Sequence, residues 1–212
     1  LIAAVFAVGM GLFMDPILEM LGAGENTYEY ARQYAFCVIV FGGIPTVLSN
    51  VLSNLIRSIG KSKEAGAGII LGGILNIALD PLFMFVLLPD GYEVLGAGAA
   101  TALSNCIACL FFLAVLIRLG RASVITFSPK TGLAERESMA AVFAVGIPSA
   151  VATFLFDLDY VVIDKLMVSY HDLALAAIGI VLKVERFPLN VGIGICQGML
   201  PLVAYNYGAG NK

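Results

Sequence analysis

The chain has 212 residues, of which 60% are hydrophobic and 13% are charged, and its formal net charge is −3. Soluble domains are usually about 45–50% apolar and about 25% charged, so this chain has too little charge to cover a surface in water. Its apolar content also excludes a disordered chain, and its slight negative charge excludes a basic surface for nucleic acid. The composition therefore predicts an integral membrane protein.

Six apolar stretches follow one another along the chain, each long enough to cross a bilayer as a helix. A crossing helix needs about 20 apolar residues, because each residue adds about 1.5 Å across a hydrocarbon core about 30 Å thick. Backbone groups in lipid must be hydrogen-bonded within the protein, so runs of this length predict an all-α membrane protein with six transmembrane helices. The predicted spans are 1–22, 32–56, 65–88, 95–118, 139–168 and 174–204.

Basic residues concentrate at the even-numbered connections between these spans, and acidic residues concentrate at the odd-numbered ones. Because Lys and Arg favour cytoplasmic loops, six spans with this alternation place both ends of the chain in the cytoplasm. The longest polar segment, 119–138, is interpreted as a cytoplasmic linker between two groups of helices. The basic residues are Arg57, Lys61, Lys63, Arg118, Arg121, Lys130 and Arg136, and the acidic ones are Glu25, Glu29, Asp90, Glu93 and Asp172.

Motifs for catalysis are incomplete in this sequence. The segment 60–62 resembles the end of a phosphate-binding loop, but Leu55 stands where that motif requires a glycine. Cys106 and Cys109 have CxxC spacing without a second ligand pair, and they lie in an apolar run. We therefore expect neither an enzyme nor a bound cofactor. Because the chain begins at Leu1 inside an apolar run, we expect no signal peptide and a fragment of a longer chain.

The third predicted span carries polar residues that are costly in lipid, about 2.5–3.5 kcal/mol for an ionisable side chain on insertion scales. Asn76 and Asp80 are four residues apart and share a helix face. Pro81 has no N–H, which frees the carbonyl of Ile77, and Thr101 in the next span could add a hydroxyl. These oxygens suit Na⁺ or a proton, so the residues predict a cation site; the alternative is a proline kink whose polar groups satisfy one another.

A second group of charged residues lies in the fifth and sixth predicted spans. Asp157 belongs to the fifth span, and Lys183 and Arg186 share a face of the sixth because they are three residues apart. Charges at this density predict a candidate substrate cavity that contains water. The alternatives are ion pairing between helices without a ligand, or charges placed near the outer interface of the membrane.

Several segments of this sequence resemble the multidrug and toxic compound extrusion (MATE) family. The resemblance runs from about residue 42 to the end of the chain, and the segment 54–60 and the final segment are the most specific. The matching segments are 43–45, 54–60, 76–83, 96–101, 146–149, 176–180 and 197–211.

The resemblance implies a fold of twelve helices in two lobes of six. By this alignment, residues 1–118 are the last four helices of the N-terminal lobe, 119–138 is the loop between the lobes, and 139–212 supplies the first two helices of the C-terminal lobe. The family's first-lobe cation site then matches Asn76, Asp80 and, by a plausible match, Thr101. The family's further aspartate lies on its first helix, which this chain lacks.

The implied function is a cation-coupled antiporter that exports amphipathic, often cationic organic compounds by alternating access. Na⁺ or H⁺ would be the coupling ion, bound by Asp80 with Asn76 and Thr101, and Pro81 would be the hinge. The expected partners are small organic substrates, the lipid bilayer and the missing helices of the full-length chain, with no nucleic acid. Two alternatives remain open, a lipid-linked saccharide flippase of related fold and a non-transporting membrane scaffold subunit.

Overall fold

The computed structural model describes residues 2–20, 27–89, 91–120, 136–170 and 172–210, and in these ranges the chain is helical with no strand. The all-α class predicted from the sequence is confirmed. The chain divides into two compact units, Leu1–Ser123 (unit 1) and Val124–Lys212 (unit 2). Most of the predicted linker, residues 121–135, lies outside the described residues, and the assignment of the two units to lobes of a larger fold stays a prediction.

The described residues of unit 1 form six α-helices, two of which continue into wider π-helical turns. The π-helical segments are Phe36–Phe41, which follows α3, and Phe83–Leu87, which follows α5. The helices are α1 (Ile2–Leu12), α2 (Met14–Met20), α3 (Tyr28–Ala35), α4 (Gly43–Ser58), α5 (Ser62–Leu82) and α6 (Glu93–Gly120). In unit 2 the structure describes two long helices that pack on each other, α7 (Arg136–Tyr170) and α8 (Asp172–Gly208).

Four helical segments in the described part of the chain are long and apolar enough to cross a membrane. They match the third to sixth predicted spans and are Ser62–Leu87, Glu93–Leu119, Met139–Met167 and Ala177–Gly208. The second predicted span is a bent pair, Tyr28–Phe41 and Gly43–Ser58, with an angle of 49° between its halves. Counted as one crossing, this pair makes a fifth span.

The bend lies at Gly42, where local chemistry interrupts the helical hydrogen bonds. Pro45 has no N–H to donate to the carbonyl of Phe41, so the regular ladder ends there. A side chain at Gly42 would lie 2.7 Å from the carbonyl oxygen of Val38 and 3.3 Å from Cα of Ala102. Glycine is therefore required where the bent pair meets α6.

The first predicted span is divided in the structure. An apolar helix of 11 residues, α1, ends at Leu12, and the seven-residue α2 begins at Met14. Pro16 cannot donate to the carbonyl of Leu12, whereas the N–H of Ile17 does bond to the carbonyl of Phe13 at 3.2 Å. This missing bond explains why the apolar run 1–22 is not one continuous helix in the described residues.

The core of unit 1 is organised around α6, which packs against α3, α4, α5 and both π-helical segments. Residues at every fourth position of α6 are buried, as expected for one face of a helix. Small side chains occupy the first half of this face and large ones the second half. Because small side chains allow two helices to come close, α5 approaches α6 closely up to about the middle of α6. The buried residues are Ala100, Ser104, Ala108, Phe112 and Leu116.

Candidate functional site

The structure brings together all three residues of the predicted cation site. The amide Nδ2 of Asn76 donates to Oδ1 of Asp80 at 3.1 Å and to Oγ1 of Thr101 at 3.2 Å. All three side chains are half-buried between α5 and α6. We call this group the Asn76 cluster.

Small residues at the start of α6 position Thr101 against α5. A side chain at Gly96 would lie 2.8 Å from the carbonyl oxygen of Phe83, and one at Gly98 would lie 3.0 Å from Cβ of Cys37. Ala100 is fully buried. Because these positions lack bulk, α6 can approach the segments on both sides of it, and Thr101 lies within hydrogen-bond distance of α5.

The hydrogen bonds of the cluster define what it can hold. The hydroxyl of Thr101 donates to the carbonyl of Ala97 at 2.9 Å, so its oxygen is an acceptor toward Asn76. A carboxylate, an amide oxygen and a hydroxyl oxygen are ligands that hard cations prefer. In the structure the amide nitrogen of Asn76 faces Asp80 and Thr101, so half a turn of this amide would present Oδ1 to a cation between them.

Pro81 follows the cluster directly without ending the helix. The carbonyl of Ile77 loses its usual N–H partner, and the chain continues into the π-helical segment Phe83–Leu87. There the N–H of Phe83 bonds to the carbonyls of both Asp80 and Leu79. Across the described residues, no group of three or more His, Cys, Asp or Glu side chains is placed to hold a metal ion. The Asn76 cluster therefore offers one carboxylate and neutral oxygens.

A second candidate site is a cleft of about 480 Å³ between α7 and α8 in unit 2. Asp157 and Arg186, two of the three residues predicted for the substrate cavity, both line it, whereas the exposed Lys183 is not among its lining residues. The guanidinium of Arg186 lies 4.9 Å from the ring centroid of Tyr160, within the range of a cation–π interaction. The cleft thus combines an acid, a base and an aromatic ring.

Two further features were missed when the sequence was read alone. Tyr160 and Asn190 line the unit 2 cleft. The sequence could have indicated both, because Tyr160 is three residues after Asp157 and Asn190 is four residues after Arg186, which places each pair on one helix face. In unit 1, Nδ2 of Asn105 donates to Oγ1 of Thr46 at 2.8 Å beside a separate polar cavity.

The family model MatE matches residues 148–212. The chain is 30% identical over 211 residues to the multidrug export protein MepA of Staphylococcus saprophyticus, covering 98% of this chain and 45% of that protein. It is also 30% identical over 198 residues to MepA of Staphylococcus aureus, covering 92% of this chain and 42% of that protein. The chain spans about half the length of the curated relatives it matches.

Solved structures share the fold over nearly the whole chain. A crystal structure of MATE in complex with MaD3S superposes with a TM-score of 0.83 at 23% identity, covering 99% of this chain and 46% of that one. A MOP superfamily transporter from Pyrococcus furiosus, described as having a binding pocket of reverse polarity, superposes with a TM-score of 0.81 over the same shares. The family-model match, the relatives and the shared fold agree, and this chain is similar to about half of a MATE transporter.

Proposed function

We propose that the protein forms part of a cation-coupled exporter of amphipathic, often cationic organic compounds. Na⁺ or H⁺ moves down its gradient through the Asn76 cluster while the organic compound leaves by alternating access. The observation that carries this proposal is the cluster itself, an amide that donates to both a carboxylate and a hydroxyl between two segments long enough to cross a membrane. The relatives named as multidrug export proteins support it.

Asp80 has the central role in this proposal. A carboxylate within a membrane is costly, and a bound Na⁺ or proton offsets that cost, so the protein gains most from occupancy when the site is shielded from water. Asn76 and Thr101 complete the site, and turning of the Asn76 amide exchanges its hydrogen bonds for a contact with the ion. Pro81 allows the end of α5 to change direction between the two states of the transporter, since its missing hydrogen bond lowers the cost of bending.

The cleft of unit 2 is assigned to the organic substrate. Phe156, Leu189 and Ile193 give it apolar walls, which suit the hydrophobic body of an amphipathic compound. Asp157 supplies a negative charge for a cationic group, and Arg186 stands over Tyr160 beside it. Small-molecule sites of this kind are mostly apolar with a few polar groups that set orientation.

The remaining parts of the proposal concern placement and partners. The protein is a multi-pass protein of the cell membrane, and by the alternation of loop charge both ends of this segment are cytoplasmic. It acts without an enzymatic step and without a cofactor other than the coupling ion. Its partners are small organic substrates, the bilayer and the other helices of the longer chain.

The deciding experiment compares Asp80→Asn with the parent in the full-length protein, reconstituted in liposomes with an imposed Na⁺ or H⁺ gradient. Asp80→Asn keeps the size of the side chain but removes its charge, so gradient-driven efflux should fall to background while the amount of protein in the membrane is unchanged. Glu64→Gln, the same exchange in the first turn of α5, is the matched control and should retain transport.

Each possible result bears on a named alternative. Equal gradient-driven efflux in Asp80→Asn and the parent would leave the cluster as a proline kink without a role in coupling. Absence of flux in the parent for every organic compound would favour the scaffold subunit. Movement of an anionic lipid-linked saccharide instead of an amphipathic cation would favour the flippase.

A further inference from the structure

A polar cavity of about 150 Å³ lies between α4, α5 and α6 in unit 1. Five hydroxyl and amide side chains line it, although it is flanked by helices long enough to cross a membrane. Apolar residues supply most of the wall, but the hydroxyl and amide groups give water its hydrogen-bond partners, and at about 30 Å³ per molecule there is room for about five. The polar lining residues are Thr46, Ser49, Asn50, Ser53 and Asn105.

The hydrogen bonds of this lining leave oxygen atoms as acceptors. Asn105 and Asn50 each donate through Nδ2, to Oγ1 of Thr46 at 2.8 Å and to the carbonyl of Thr46 at 3.1 Å, so each keeps its amide oxygen as an acceptor. The hydroxyls of Thr46 and Ser53 donate to backbone carbonyls at 2.6 and 3.0 Å. The residues that line the cavity include no charged side chain. Neutral oxygens of this kind accommodate a hydrated cation without holding it tightly.

The cavity adjoins the Asn76 cluster along both helices that form it. Gly72 lies four residues before Asn76 on α5, and Asn105 lies four residues after Thr101 on α6. One helical turn is about 5.4 Å, and residues four apart lie on the same face. The cavity is thus one turn from the cluster, on the side nearer to the basic end of α5 at Lys61.

Among the lining residues of α5 and α6, Gly68 and Phe112 lie nearest to that basic end. The side chain of Phe112 is 1% exposed and packs directly on Gly68, where a side chain would overlap the ring. The polar lining is therefore followed by a tightly packed aromatic ring, and the ring must move before a hydrated ion can pass beyond it along this face.

We propose that this cavity is the hydrated passage through which the coupling cation moves between Asp80 and the Lys61 end of the spans, with Phe112 as its gate. The ligand is a water-borne monovalent cation, Na⁺ or a proton carried along ordered water. This inference rests on the proposed function, because it requires a coupling ion at Asp80.

Cysteine labelling of the full-length protein tests whether the cavity contains water. Ser53 lines the cavity at 4% exposure, whereas its neighbour Leu52 is buried to a similar degree, 8%, and does not line it. Ser53→Cys and Leu52→Cys are made in a background without the native cysteines and reconstituted in liposomes. A small, membrane-impermeant cationic thiol reagent is then added to one side, with Lys63→Cys as the marker for the basic side.

The expected result is that Ser53→Cys reacts about tenfold faster than Leu52→Cys from the side on which Lys63→Cys reacts, because thiolate formation requires water. Equally slow reaction of the two variants would show a dry cavity and overturn the proposal. Faster reaction of Ser53→Cys from the opposite side would overturn it as well.

A transport measurement tests the passage itself. Asn105→Leu replaces a polar lining residue by an apolar one of similar size, so it should lower the maximal rate of ion-driven efflux about tenfold while the ion concentration at half-maximal rate stays unchanged. An unchanged rate, or a loss of apparent ion affinity instead, contradicts a passage. Absence of ion-driven flux in the parent would refute the proposed function whatever the labelling shows, whereas unreactive Ser53→Cys in a transporting protein refutes the passage alone.

Discussion

Replacing Gly68 by alanine should destabilise the full-length protein, because the added methyl group has no space between α5 and α6. An ideal Cβ at Gly68 would overlap Cε1 of Phe112 and would lie 2.5 Å from Cζ of that ring and 2.9 Å from Cδ1 of Phe111. Phe112 is almost fully buried in this conformation, so its neighbours confine the ring until the proposed passage opens, and the clash with an added methyl group remains while it is closed. Overpacking of this kind costs about 1–3 kcal/mol in free energy of unfolding.

Gly66→Ala is the matched control for this substitution. Gly66 lies two residues earlier on α5, and an added Cβ there meets nothing within 4 Å. Its replacement should be neutral or should stabilise by up to about 1 kcal/mol, since alanine has the higher helix propensity. Denaturant titration of the purified protein in micelles measures both variants, and Phe112→Leu should recover part of the loss caused by Gly68→Ala. Equal free energies of unfolding for the two alanine variants would refute the close approach of α5 to α6.

Two further substitutions test the candidate sites in the full-length protein. Thr101→Val keeps the shape of the side chain but removes its hydroxyl, and it should raise the ion concentration for half-maximal transport about tenfold, whereas Thr101→Ser should change it by less than about twofold. An unchanged ion requirement in the valine variant would remove Thr101 from the cation site. Arg186→Gln should shift transport toward cationic compounds about fivefold by removing a positive charge from the cleft, as measured by competition between a cationic and a neutral fluorescent compound. The same shift in Lys183→Gln, which also removes a positive charge from α8 but lies outside the lining of the cleft, would contradict that assignment.

The length of an apolar run predicts that the run is helical, but it does not predict whether the helix is continuous. The runs 65–88 and 95–118 correspond closely to Ser62–Leu87 and Glu93–Leu119. Within each run, proline removes at most one backbone hydrogen bond of the helix. The runs 1–22 and 32–56 are interrupted at Phe13 and Gly42, each three residues before a proline. Pro81 has the same chemistry, yet α5 passes through it into a π-helical turn. Whether a proline ends a helix depends on the packing around it.

In the candidate sites, too, the sequence predicts contacts between residues of one helix but not contacts between different helices. The pairing of Asn76 with Asp80 follows from their spacing, because residues four apart on a helix must be neighbours. Thr101 was proposed from its place early in the next span and from the family resemblance, because spacing within one helix says nothing about a neighbouring helix. The structure gives it a direct hydrogen bond from Asn76. Lys183 and Arg186 share a helix face by spacing, but only Arg186 lines the unit 2 cleft, since the crossing of α7 decides which part of that face is covered.

Composition and helical periodicity alone determined that this chain is helical and apolar enough for a membrane, and which polar residues within one helix are neighbours. Those properties depend on the transfer of side chains from water and on a geometry that repeats every turn. The contacts between residues far apart in sequence were decided only by the tertiary structure. Asn76 meets Thr101 across 25 residues, and Thr46 meets Asn105 across 59. Such contacts depend on how closely two helices approach, and that distance is set by the small residues at their crossing together with the large ones packed against them.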